Sequence, residues 1–170
     1  MKERMVEVVI GDPYKCSVIL QTIPEWNIDD TFCNGILLFG VNGDIYPPKI
    51  LTATLTSEIQ PLKEKLTSLA TDECLFSMEK KEAFKKIYDI TMPEDINIEN
   101  DYRFDISPMS FADDGCFVFA IRSGCRVRIL ASQLKYNIKE SRHDFENIYV
   151  NEAILELYEI NELVSQLKII

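Results

Sequence analysis

The chain has 170 residues, 46% of them hydrophobic, enough to bury a core within one domain spanning 1–170 and too many for a disordered or fibrous protein. Its 28 acidic side chains outnumber 18 basic ones for a net charge of −10. Seven of the bases fall within residues 49–86, so no cationic stripe follows phosphates, which disfavours direct nucleic-acid binding and favours a basic partner.

Along the chain, residues 6–10 read as a short strand. Gly11-Asp12-Pro13 reads as a turn, since Gly accepts unusual dihedrals, Asp bonds forward to the backbone and Pro fixes φ. The one early apolar run, residues 8–10, is too short for a signal-peptide core or a membrane span, so the expectation is a cytoplasmic protein without membrane contact. Residues 16–23 alternate as a second strand ending at Pro24. Beyond it Trp26 is expected as a buried anchor, or in second place as an interface contact. In "GILLFGVNGDIYPP", Asn42-Gly43 supplies the two positive φ angles of a type I′ turn and joins residues 36–41 to 44–46 in a hairpin.

Helices follow. Ser57 and Gln60 have capping-box spacing, but Pro61 removes an early donor, so the first helix starts at one or the other, with Leu62, Leu66 and Leu69 facing inward. Ser77 caps a second helix running to about residue 89, with Ala83, Phe84, Ile87 and Tyr88 inward and Glu82 paired to Lys86 outside.

Residues 89–114, "DITMPEDINIENDYRFDISPMSFADD", hold eight carboxylates against one base, Arg103. Asp95, Asn97, Glu99 and Asp101 resemble the start of a calcium loop, but Asn100 takes the glycine position and Ile106 stands where a bidentate Glu is needed. A flexible linker is depleted in aromatic and β-branched residues, whereas Ile96, Ile98, Tyr102, Phe104, Ile106 and Phe111 interleave with these charges. Residues 96–106 alternate with the period of a half-buried strand, which would hold the acids in an ordered array on one face. That face is either merely solvated or offered to a basic partner.

A second hairpin is expected at residues 117–130 with Ser123-Gly124 as its turn, Arg122 opposite Cys125, Cys116 opposite Ala131, and Arg126 and Arg128 on a charged outer face. Residues 148–158 suit a long strand, and Ile160, Leu163, Val164 and Leu167 mark a terminal amphipathic helix. The class is therefore α+β: an antiparallel sheet built from two hairpins and flanking strands, with about two central helices and a C-terminal helix.

The parts of a catalytic site are sparse. His143, the only histidine, stands in the polar run "KESRHD", which reads as a solvated loop. Cys16, Cys33, Cys74, Cys116 and Cys125 are scattered, with no Cys-x-x-Cys, so buried free thiols are expected and neither a disulfide framework nor a zinc site. No phosphate-cradling glycine motif occurs, and no cofactor is expected.

Taken together, "GDPYKCSV", "PEWN", "NGILLFGVNGDIYP" with "ILTATL" behind it, and "YRFDISPMSFADDGCFVFAIRSGCRVRIL" resemble the immunity protein 42 family of bacterial polymorphic toxin systems, and they cover most of the chain in order. The resemblance implies a cytoplasmic, non-catalytic antitoxin that binds the C-terminal domain of its cognate toxin, as in contact-dependent growth inhibition, with a monomer assumed. Many delivered toxins are nucleases, whose sites must be basic to hold phosphate, and an acidic face would block one as a decoy. The charge pattern nominates Glu94, Asp95, Glu99, Asp101, Asp105, Asp113 and Asp114 as toxin-facing, with Tyr102 as an anchor. The alternatives are an acidic DNA-mimic regulator of a host nuclease or repressor, and a small enzyme pairing Cys16, Cys33 or Cys125 with His143.

Overall fold

The computed structural model describes residues 7–28 and 31–168, so Val6 of the expected first strand lies outside the described residues. Strands β1 (Glu7–Asp12) and β2 (Cys16–Thr22) form a hairpin closed by Pro13, Tyr14 and Lys15, and the Asp12 carboxylate accepts the Tyr14 N–H at 2.9 Å. The turn thus falls two residues later than the sequence suggests. Gly11 stays in β1 at φ +92°, where a Cβ would lie 2.5 Å from the Cys16 carbonyl oxygen.

β2 pairs with β3 (Asn34–Val41), whose far edge carries β4 (Asp44–Tyr46) and β5 (Ala53–Thr54), completing a five-stranded antiparallel sheet. The turn between β3 and β4 is the one expected, with Asn42 at φ 49° and Gly43 at φ 87°. A second sheet has β6 (Cys116–Ser123) and β10 (Asn151–Glu156) flanking β7 (Arg126–Gln133). In it Arg122 faces Val127 and Cys116 faces Gln133, so the two-residue turn is Gly124-Cys125 and the expected register is off by two. Glycine at the first turn position, at φ 56°, is what a type II′ turn requires.

Helix α1 (Leu55–Thr67) begins six residues before Pro61. Leu55, Ile59, Leu62 and Leu66 are all buried, and that apolar stripe outweighs the one backbone bond Pro61 cannot make. Ser77 ends the short α2 (Glu73–Ser77) instead of starting a helix. The cap of α3 (Lys80–Thr91) is Glu79, whose carboxylate accepts from the N–H groups of Lys81 and Glu82 at 2.8 and 3.1 Å. The inward residues of α3 are those expected. At the C-terminal end β10 is shorter than the expected strand and passes into α4 (Leu157–Gln166), which opens with a capping box between Glu156 and Glu159 and buries Ile160 and Leu163.

The two sheets face each other across the main core, which α1 and α4 close. Phe39 and Phe111 meet edge-on there at 6.0 Å. The opposite face of the second sheet carries Phe117, Phe119, Ile121 and Leu130 against α2 and α3, so β6 and β7 are covered on both sides. Asn151 ties the layers, donating to the Val41 carbonyl at 2.6 Å and the Asp44 carboxylate at 3.0 Å. Arg128 also departs from expectation. Its guanidinium is buried and donates to the carbonyls of Leu75, Phe76 and Met78 at the end of α2, while Glu152 pairs with it at 2.8 Å.

Candidate functional site

The acidic stretch is ordered, but not as a strand. Residues 92–103 form successive turns, and Ile96 and Ile98 are 96% and 57% exposed, so the alternation reaches the core only at Phe104 and Ile106. The cause is local. Asp95, Asp101 and Asp105 each accept the backbone N–H two residues on, at 2.9, 3.1 and 2.8 Å, and so bend the chain where a ladder would need it extended. Further on, the Ile106 N–H donates to Val118 and the Ala120 N–H to the Phe104 carbonyl, while residues 70–72 cover the rest of the open edge of β6.

The structure distributes the nominated residues. Asp95, Glu99 and Asp101 stand on the turns after α3, with Tyr102 54% exposed beside them. Asp105 lies against Phe119 of β6, and Asp113 and Asp114 end a 3-10 helix, Met109–Asp114, capped by Gly115 at φ 66°. Several of these charges are already answered. Glu94 pairs with Arg142 at 2.9 Å, and Asp101 accepts from the Arg103 Nε at 2.7 Å, a bond that holds its carboxyl below the usual carboxylate range. Asp114 is almost covered, bonded to Lys49 and, at 2.7 Å, to the Gln133 amide. Glu99 and Asp113 stand exposed.

Glu94 also belongs to a feature not foreseen from the sequence. A cleft of about 930 Å³ opens between the C-terminal half of α3 with the turn after it and a hairpin of β8 (Lys135–Asn137) and β9 (Arg142–Asp144). The polar run read as a solvated loop is that hairpin. The Asn137 side chain accepts from the N–H groups of Lys139 and Glu140, and Ser141 turns at φ 51°. Asn137 and Ser141 were the available turn signals. His143 is half-buried there, with its Nδ1 2.6 Å from the Tyr88 hydroxyl and its ring edge-on to Tyr88, Phe117 and Tyr136. Burial lowers its pKa.

The thiols stand apart from this cleft. Cys16 and Cys116 are buried, each pushed to about 12 by burial, whereas Cys74 and Cys125 are exposed, contrary to the expectation of buried thiols throughout. Trp26 is not a buried anchor either: it ends the 3-10 helix Pro24–Trp26 at 37% exposure. Among the described residues no group of three or more His, Cys, Asp or Glu is arranged to hold a metal ion, and no helix is long and apolar enough to cross a membrane.

Beside the two packed sheets, the acidic turns follow α3, and α3 and the β8–β9 hairpin frame a cleft lined by aromatic and charged side chains. The chain belongs to the immunity protein 42 family, which it matches over residues 5–169. No curated protein matches it. In fold it is similar to the crystal structure of CdiI from Burkholderia dolosa AUO158, with a TM-score of 0.71 and 14% identity, covering 94% of this chain and 99% of that one.

Proposed function

We propose that this chain is the cytoplasmic antitoxin of a delivered bacterial toxin, binding the toxin's C-terminal domain without catalysing a reaction. The family match across nearly the whole chain carries this reading. The fold likeness to a protein named CdiI supports contact-dependent growth inhibition as its setting. The toxin domain is a basic nuclease, and the acidic surface attracts and obstructs the groove that would hold phosphate. A net charge of −10 and the exposed carboxylates after α3 support that step.

The acids contribute unequally. Glu99 and Asp113 are open to a partner, whereas Asp114 is held by Lys49 and Asp101 by Arg103. The double variant Glu99→Lys, Asp113→Lys is therefore expected to slow association with the toxin domain by about 2- to 5-fold at low salt and little at high salt. The decisive experiment co-expresses the chain with the toxin domain encoded beside it: cells survive and the two proteins purify together. Death of those cells with no complex formed would refute the assignment, while equal association rates for the variant would refute only the electrostatic part.

A further inference from the structure

We infer that the cleft between α3 and the β8–β9 hairpin seats an arginine- or lysine-bearing segment of the toxin domain, an inference that rests on the antitoxin reading and gives it a docking point. The cleft, about 930 Å³, has room for several side chains. Its lining carries five carboxylates, Asp89, Glu94, Glu140, Asp144 and Glu146, against two cations, Lys85 and Arg142, so an incoming cation meets a surplus of opposite charge.

The aromatic part of the lining supplies the other half of the recognition. Lys85 already shows the arrangement: its ammonium lies 5.2 Å from the centre of the Phe145 ring and 2.8 Å from Asp89, a cation held by a ring and a carboxylate together. Tyr136, 57% exposed and edge-on to His143, and Glu146, an exposed acid with no ion pair among the described residues, add a ring and a carboxylate to the same lining. Arg142, on the hairpin beside Glu140, reaches across the mouth to Glu94 at 2.9 Å, so a single exposed ion pair spans it before a partner arrives.

The test measures binding of the full chain to the toxin domain, with Glu146→Lys and Tyr136→Ala tested separately and together. The double variant is expected to raise the dissociation rate by at least about 10-fold, whereas reversal at Glu99 and Asp113, outside the cleft, acts mainly on association. In the native complex, hydrogen exchange should slow across residues 135–146 and 92–100, a readout independent of whether any variant folds. Native binding with unchanged dissociation of folded cleft variants, or native binding with no slowing in those residues, overturns the cleft assignment and leaves the antitoxin reading standing. Absence of native binding overturns both. Slowing of the same residues when the chain is concentrated alone would assign the cleft to a second copy and also overturn it.

Discussion

Glu58 is 6% exposed on α1, and its carboxylate accepts from the Ser110 hydroxyl at 3.0 Å. Burial raises its pKa above 4.5, so the folded chain holds this proton more tightly than the unfolded one. Its contribution to stability is therefore present at acid pH and disappears as pH rises through the raised value. Glu58→Gln keeps an acceptor for Ser110 and removes the charge. We expect it to stabilise the protein by on the order of 1 kcal/mol at pH 7 and by little at pH 4, measured by urea unfolding at both. His143 has the opposite sign. Its folded pKa is lowered by burial, so the unfolded chain takes the proton first, and stability falls as pH drops below about 6.5 towards the lowered value. Following the imidazole resonances with pH should give a midpoint below that of an exposed histidine; a midpoint at or above it would contradict the half-buried setting against Tyr88 and Phe117.

At the scale of elements, α2 has only five residues and is too short to persist on its own propensity. Its cap at Asp72 and the Arg128 guanidinium, which collects its last carbonyls, hold it against β7. Arg128→Ala should cost about 3 kcal/mol, leaving those carbonyls and Glu152 without their donor. The amides of residues 73–77 should lose exchange protection first, and a uniform loss across the fold would count against this local role. The same region shows what the sequence conveyed. Asn42-Gly43, the inward residues of α3 and the apolar stripe of α4 were legible because each is fixed by local chemistry or by one clear period. The strand expected at residues 96–106 was not there because Asp95, Asp101 and Asp105 bond to their own backbone, and a period of two cannot report that competition. Arg128 looked like an outer-face charge because alternation marks a face without saying that a helix end will cover it.

For the whole molecule, the acidic composition was legible at once, but the charges' availability was not. Glu94 and Asp114 are answered by Arg142 and Lys49, partners 48 and 65 positions away that only the fold brings near. The cleft is likewise a tertiary feature, assembled from α3 and a hairpin distant in sequence, so no motif announced it. One surface ion pair, Glu94–Arg142, spans its mouth, and such pairs are weak singly; a partner seated in the cleft should therefore leave its largest imprint on the β8–β9 hairpin. Two proposals, that this scaffold binds a toxin domain and that charge draws the two together, stand or fall on binding kinetics. Association kinetics with the purified toxin domain across a range of salt concentrations test them most directly. A specific complex is expected, with an association rate that climbs by at least about 10-fold as ionic strength falls from 0.5 M to 0.05 M. An association rate indifferent to salt, or no complex at all, would contradict that expectation.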